Sequence, residues 1–562
     1  MEIKVKQASP IDKILKDSLV YKEVNSKKAV RGERIEYQIV LSAERVCYAN
    51  ISIDSPLKDY VKVYSVKDIF VETPFTDPRA EKDNGYITKT PAAIPDVLRP
   101  IEEQGNCITI QKKNTVLFVK VDVPYGIKAG PYKVSVNFDI CPTYLSNEMQ
   151  EARTAVFVVD VIDEALDEQK IIYTRWFYAD CIANYHRTKM YSKEHWHFIE
   201  KYIKAAVDMG INMILVPVHT PPLDTEVGTY RPSSQLVDIE KKGDKYIFGF
   251  EKLDKFVEIC RKCGVQYYEI AHMFSQWGAK FAANIEVSVN GKKEYMFGWG
   301  VSATDERYID FLKQYVPAIQ DRMKALGVAD TTYYHVSDEP NLNNIDSYKT
   351  AHDIFAKNLG TSKTFDALSH IEFCEEGLVD CPVTAVEKIH DFLPKKIENQ
   401  WVYYCCWPQA GYINSLTAQY GYRTRALGIL IYKYDIKGFL HWGFNFFNSA
   451  LSKYTLDPYL NSSPDGVYPT GDGNIVYPGV DSVYGSIRGE IMYQALEDIR
   501  VCRMFEKYIG REGVIKFIDE AANKDIRFDD YPESNDFFEK LIQDMLIEIE
   551  NYVRGWKKLP QE

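Results

Sequence analysis

Three patterns predict the architecture of this chain. Apolar residues alternate with period two through the first third, strands and helices alternate through the middle, and one amphipathic helix stands near the end. Together they predict a multi-domain protein: an N-terminal all-β sandwich over 1–165, a (β/α)8 TIM-like barrel over 170–500 and a C-terminal helical segment over 501–562 packed on the barrel. At 562 residues the chain exceeds one hydrophobic core, which agrees with this division.

The sandwich is read from runs such as Leu117, Val119, Val121 and Val123, interleaved with Phe118, Lys120 and Asp122. A second run, Tyr132, Val134, Val136, Phe138 and Ile140, alternates with Lys133, Ser135, Asn137 and Asp139. Turn residues at Pro124-Tyr-Gly126 and Ala129-Gly-Pro131 separate such runs, and no helix pattern intervenes. The acidic stretch from Asp160 to Glu168 reads as a linker.

Beyond it the period changes. Strands are expected at Ile171–Tyr178, Ile211–Val218, Val265–His272, Thr332–Asp338, Lys363–Ser369, Val379–Val383, Gln400–Cys406 and Gly438–Asn445. Helical stripes lie between them: Trp196, Ile199, Ile203 and Ala206 before Gly210; Leu253, Phe256, Val257 and Cys260 before Gly264; Tyr308 to Leu326. Eight strands with intervening helices are what a closed parallel barrel needs. In the tail, Phe538, Leu541, Ile542, Met545, Ile549, Tyr552, Val553 and Trp556 form the last helix.

Composition excludes several classes. Hydrophobic residues at 46% and charged residues at 26% are those of a globular protein. A formal net charge of −12 without a basic run argues against binding nucleic acid or an anionic membrane surface. No stretch is apolar for long enough to span a bilayer, and Met1-Glu-Ile-Lys-Val-Lys-Gln has no signal-peptide core. The 11 cysteines are odd in number and mostly sit in apolar runs, which suits reduced thiols in a cytoplasm. Cys260-Arg-Lys-Cys263 has the spacing of a metal half-site, but it lies on a helix stripe and has no matching second pair. No metal and no cofactor are expected, and the oligomeric state is left open.

The densest chemistry lies in Thr332-Tyr-Tyr-His-Val-Ser-Asp-Glu-Pro340. Proline removes a backbone donor and holds the preceding residue extended, so the strand stops with Asp338 and Glu339 at its mouth. Barrel enzymes keep their reacting groups there. Adjacent carboxylates push one pKa upward, and a proton donor beside an ionised helper suits glycosidic bond cleavage. A pair that merely caps the next helix is the plain alternative. The other strand ends bring candidate sugar-binding residues: His219, Asp224 and Arg231 after strand two; His272 and Trp277 after strand three; Tyr403 and Tyr404 on strand seven; Trp442 and Asn445 on strand eight. His219 and His272 are equally readable as satisfied core or loop-ordering histidines, Trp277 and Trp442 as core residues, and the histidines with the acids as holding a divalent metal. Tyr403 and Tyr404 point opposite ways on a strand, so one of them lines the pocket.

No strand end offers a carboxylate facing Glu339 as nucleophile. A substrate with a 2-acetamido group supplies its own, its carbonyl oxygen attacking C1. Glu339 then serves as general acid and base, and Asp338 orients the amide and stabilises developing positive charge.

Several ordered blocks resemble glycoside hydrolase family 123, the β-N-acetylgalactosaminidases. They are Trp176-Phe-Tyr-Ala-Asp-Cys181 with Glu194-His-Trp196, Gly210-Ile-Asn-Met-Ile-Leu-Val-Pro217, Thr220-Pro-Pro-Leu-Asp224, Arg231-Pro232 with Gln235-Leu-Val-Asp238, Ser337-Asp-Glu-Pro340, Tyr403-Tyr-Cys-Cys406 and Tyr432 to Gly443. The resemblance spans about Trp176 to Arg488. It implies a β-sandwich before a catalytic barrel and retaining release of terminal β-linked N-acetylgalactosamine from glycans such as those of glycosphingolipids. It places the family's acid pair on Asp338 and Glu339. A β-N-acetylglucosaminidase and a catalytically silent carbohydrate-binding protein on the same fold are the alternatives.

Overall fold

The N-terminal strands form two facing sheets. In the first, the order is Ile3–Ala8, Arg34–Ala43, Thr115–Asp122, Val61–Val71 and Ala92–Pro100, all antiparallel. In the second it is Ser26–Arg31, Glu151–Ala165, Gly130–Cys141, Cys47–Asp54 and Cys107–Ile110. The structure is a computed structural model and describes residues 2–19, 22–142, 151–360 and 362–557. The chain forms two compact units: Met1–Gln169 with Ala410–Lys433 and Tyr484–Glu562, and Lys170–Gln409 with Tyr434–Val483.

Alternation decides the sandwich core. Leu117, Val119 and Val121 are buried between the sheets with Tyr37, Val136 and Phe157. Phe118 points the other way and is buried against Ile487 and Ile491 of helix Ile487–Ala522. The sheet is therefore covered on both faces. The first part of the expected acidic linker is instead the end of strand Glu151–Ala165, where Val161 and Ile162 are buried while Asp160, Asp163 and Glu164 stay at least partly exposed. Helix Ile487–Ala522 passes through residue 500, the expected edge of the barrel, and its helical geometry breaks only at Gly510 (φ 71°). The last helix, Asn535–Val553, buries Phe538, Leu541, Ile542, Met545 and Ile549.

The second unit holds a closed parallel barrel: β1 (Ile172–Arg175), β2 (Met213–Val216), β3 (Tyr267–Ile270), β4 (Thr332–Tyr334), β5 (Lys363–Leu368), β6 (Cys381–Ala385), β7 (Trp401–Tyr403) and β8 (Gly438–His441). β8 pairs back to β1, with Thr174 opposite Leu440. The strands are short and buried on both faces, which explains their continuous apolar sequences. Helix Lys193–Asp208 starts at Ser192, whose side chain accepts from the His195 N–H. Helix Glu251–Cys263 ends at Gly264 (φ 99°), so the Cys-x-x-Cys pair lies on one helix with Cys260 in the core. Two hairpins, Asp238–Lys242 with Lys245–Gly249 and Ile285–Val289 with Lys292–Phe297, make a four-stranded sheet in the loops around β3. Among the described residues no helix is long and apolar enough to cross a membrane.

Candidate active site

β4 ends at Tyr334, and the chain then runs irregularly to the acid pair. Three anchors shape this run. Asp366 on β5 accepts from the backbone N–H of Val336 (3.2 Å to each oxygen) and of Ser337 (3.4 Å), replacing ladder bonds that the short strand lacks. The loop after β3 donates back, from Phe274 N–H to Val336 O (3.0 Å) and from Trp277 N–H to Asp338 O (2.8 Å). The Ser337 hydroxyl donates to Ser275 O at 2.7 Å. Glu339 then sits in the left-handed region (φ 42°), which turns its side chain into the barrel mouth.

The mouth opens as a cleft over the strand ends. Trp176, Tyr178, Asp224, Trp277, Tyr403 and Trp442 line it together with Asp338 and Glu339. The Tyr403 hydroxyl donates to Glu339 Oε1 at 2.7 Å. The Asp338 carboxyl accepts no hydrogen bond from the described residues. Burial pushes the Asp338 carboxyl well above the usual carboxylate range, and the charge of Glu339 adds to this, while His335 opposes it. Burial also raises Glu339, against the hydrogen bond from Tyr403. Both shifts favour retention of a proton by the pair, and Tyr403 eases the ionisation of Glu339 alone.

Asp224 is held from two sides. Its Oδ1 accepts from the Tyr468 hydroxyl (2.8 Å) and its Oδ2 from Leu451 N–H (3.1 Å). Trp442 Nε1–H donates to Asp472 Oδ2 (2.9 Å), and its ring lies 5.4 Å from that of Tyr468. Trp277, also with positive φ (57°), is 46% exposed at the mouth.

The other expected residues stand behind the wall. Arg231 forks onto Asp180 (3.0 and 2.5 Å), both fully buried, donates to Leu223 O (3.2 Å) and lies over the Tyr178 ring. Asn445 clips Tyr178, accepting from its N–H (2.9 Å) and donating to its carbonyl (3.0 Å). Tyr404 is buried against Phe439 and His441, so Tyr403 is the tyrosine of the pair that faces the cleft. His219 Nε2 bonds to His272 O (2.8 Å) in the core. Burial pushes His219 down to about 4, so it is neutral.

His272 is buried with neither ring nitrogen partnered among the described residues, and its ring stacks on His335 at 3.9 Å. His272, His335 and Asp366 offer ligand atoms within 4.8 Å of one another. Stacked rings, however, send their in-plane lone pairs side by side rather than to one point, and both nitrogens of His335 already face carboxylates (Asp366 2.9 Å, Glu269 3.5 Å). The trio is a poor cage for a metal.

Strand-end reasoning did not reach Trp176 or Tyr468, which also line the cleft, and it placed Tyr178, Gln276, Cys405 and Cys406 at strand ends without choosing them as sugar-binding residues. Tyr468 comes from the loop after β8, whose sequence, Asn461 to Asn474, is rich in Gly, Pro, Ser and Asp. Loops after barrel strands build active sites, so its length and composition were the available signal.

Residues 176–505, well over half the chain, match the family model described as glycoside hydrolase 123, catalytic domain. The chain belongs to glycoside hydrolase family 123. No curated protein matches it. Among solved structures, this family 123 glycosidase is similar to a family 123 glycoside hydrolase from Clostridium perfringens, described for glycolipid glycan hydrolysis, with TM-score 0.72 at 14% identity over 99% of this chain and 98% of that one. At that identity the likeness is one of fold. A β-glucuronidase from Bifidobacterium dentium (TM-score 0.33, 8% identity, 88% of this chain and 66% of that one) and one from Dictyoglomus thermophilum (0.32, 9%, 82% and 66%) are too distant to carry an argument.

Proposed function

We propose that this family 123 glycosidase is an exo-acting, retaining β-N-acetylgalactosaminidase that uses the 2-acetamido group of its substrate as nucleophile. The observation that carries this reading is the unequal pair in the cleft: Glu339 has a donor in Tyr403, and Asp338 has none among the described residues. Burial of both carboxyls favours keeping one proton on the pair. An acetamido N–H supplies the missing donor, favours ionised Asp338 and leaves that proton on Glu339. Glu339 then protonates the glycosidic oxygen as the acetamido carbonyl oxygen bonds to C1 and the aglycone leaves as an alcohol. The resulting oxazolinium ion is stabilised by Asp338. Glu339 next takes a proton from water, which attacks C1, breaks the C1–O bond to the acetamido oxygen and completes two inversions.

Asp224 is the third carboxyl of the cleft. Its double anchoring by Tyr468 and Leu451 suits a fixed acceptor for a sugar hydroxyl rather than an attacking nucleophile. Trp442 and Tyr468 offer an apolar corner for a sugar face, and exposed Trp277 offers a platform for the aglycone side. Glycolipid glycans, the substrates studied in the Clostridium relative, are the proposed natural class. All 11 cysteines are free, which supports a reducing compartment such as the cytoplasm.

The test is hydrolysis of an aryl β-N-acetylgalactosaminide beside its gluco epimer and the plain β-galactoside, with and without a thiazoline that mimics the oxazolinium ion. Cleavage of the first alone, blocked by thiazoline, is expected. Cleavage of the plain galactoside overturns acetamido assistance, and equal cleavage of the epimers overturns the galacto preference.

A further inference from the structure

The segment that leads to the acid pair carries a buried charge cluster that the reaction above does not use. His335, three residues before Asp338, stands between two carboxylates from neighbouring strands. Its Nδ1 is 2.9 Å from Asp366 Oδ1 on β5, and its Nε2 is 3.5 Å from Glu269 Oε2 on β3. All three side chains are fully buried. Asp366 is bound further by the Tyr348 hydroxyl (2.6 Å), and Glu269 by the Thr174 hydroxyl (2.9 Å). The ring of His335 has neutral neighbours otherwise: His272 stacked on one face, Trp176 edge-on at 6.1 Å and Phe365 at 4.7 Å. Burial pushes His272 well below the usual histidine range, and a charged His335 beside it adds to this, so His272 carries no charge to the cluster.

In the segment before Asp338, then, one imidazole faces two carboxylates, and ionisation of Asp338 adds a third. We propose that His335, held as a cation by Asp366 and Glu269, is the counter-charge that lets Asp338 ionise during the reaction, and is thereby a positioning residue for acetamido-assisted hydrolysis. This rests on the reading of Asp338 given above. The same Asp366 that orients His335 also holds the backbone of Val336 and Ser337, so one carboxylate fixes both the imidazole and the segment that presents Asp338. Burial pushes the imidazole down, but the bonds and charges of Asp366 and Glu269 outweigh it and lift His335 to about 9, which supports the cationic form at neutral pH. Removing the imidazole leaves Glu269 and Asp366 uncompensated, and like charge disfavours the ionisation of Asp338.

The experiment is kcat/KM against pH on an activated aryl β-N-acetylgalactosaminide for four variants of the full chain: His335→Gln, Asp366→Asn, the double variant, and Asp338→Asn. In His335→Gln the acidic limb is expected to move up by at least about one pH unit, which is a loss of about tenfold below the limb, with recovery toward the wild-type rate at higher pH. The double variant restores the charge balance and brings the limb back down. Asp366→Asn alone should move it down, and this arm stands if His335→Gln does not fold. A uniform loss at all pH values with an unmoved limb means a merely structural histidine and overturns the proposal. An unmoved or raised limb in Asp366→Asn does the same. Asp338→Asn separates the two readings. A limb that survives there does not belong to Asp338, and then the role of Asp338 fails first. A limb that vanishes there but stays put in His335→Gln overturns only the counter-charge.

Discussion

Tyr403→Phe removes one oxygen and tests how the acid is tuned. The hydroxyl donates to Glu339 Oε1 at 2.7 Å, and this side-chain bond opposes the effect of burial on Glu339. Hydrogen bonds to charged groups contribute about 1.5–3 kcal/mol net, and one pKa unit corresponds to about 1.4 kcal/mol, so the ceiling is about 1–2 units. Water entering the open cleft replaces part of the lost bond, which brings the expectation to about one unit. The sign follows from the donor. Tyr403 favours ionised Glu339, so its loss raises the apparent pKa at which the pair gives up its last proton. The alkaline limb of kcat/KM should therefore move up by about one unit. A weaker acid also protonates a poor leaving group less readily, so an oligosaccharide should lose about tenfold at the optimum and an activated aryl glycoside much less. The assay is the pH profile on both substrates. An alkaline limb that stays put or moves down refutes the assignment of that limb to Glu339, and equal loss on both substrates refutes its acid role.

The remaining predictions concern the pair and its bracing. Glu339→Gln should abolish most turnover of poor leaving groups while sparing part of that of activated aryl glycosides, read by comparing kcat/KM on the two. Asp338→Asn should lose activity on both, and unchanged turnover would remove Asp338 from the mechanism. Arg231→Met leaves Asp180 buried without its cation and should cost about 3–5 kcal/mol in denaturant unfolding, whereas pairing it with Asp180→Leu should cost clearly less. Similar costs for the single and double changes would mean that packing, not charge, is what Arg231 supplies.

The barrel was legible because its buried strands and striped helices differ in period; the acid pair was found from Pro340, although β4 stops at Tyr334, well before the proline, and Glu339 is left-handed rather than extended. What periodicity does not carry is direction at the strand ends. Past the last ladder bond, residues no longer alternate strictly, so His219, Asp224 and Arg231, all after β2, ended in different places: core, cleft and wall. Where regular alternation held, as at Tyr403 and Tyr404, it predicted that one tyrosine would line the cleft. The hairpin sheet around β3 left a signal in Val289-Asn-Gly-Lys292, since Asn-Gly suits a two-residue turn with positive φ at both positions, and the structure has φ 51° and 81° there. Tyr468 and Asp472 had no local signal for their partners, because Asp224 and Trp442 lie far away along the sequence.

Three cleft residues that are not glycine hold left-handed backbone: Asp224 (φ 37°), Trp277 (φ 57°) and Glu339 (φ 42°). Each such residue costs on the order of 1 kcal/mol, and the cost persists only where surroundings impose it. At Trp277 the surroundings are visible. Its N–H is tied to Asp338 O, its carbonyl accepts from Asn344 Nδ2 (3.2 Å), and a Cβ on the next residue, Gly278, would lie 2.4 Å from that same nitrogen. The turn is bent to serve Asp338, and the indole is carried along. Trp277→Gly and Trp277→Ala separate these roles. Both remove a ring that is nearly half exposed, so both should lose the same substrate affinity. In an ordinary helix or strand glycine is less stable than alanine by about 0.5–1 kcal/mol. Here the order should reverse, with glycine the more stable by about 1 kcal/mol in chemical denaturation, because only glycine adopts this φ without a penalty. Alanine equal to or more stable than glycine would mean that the turn relaxes when the indole is removed, so that the ring, rather than Asp338, sets the bend.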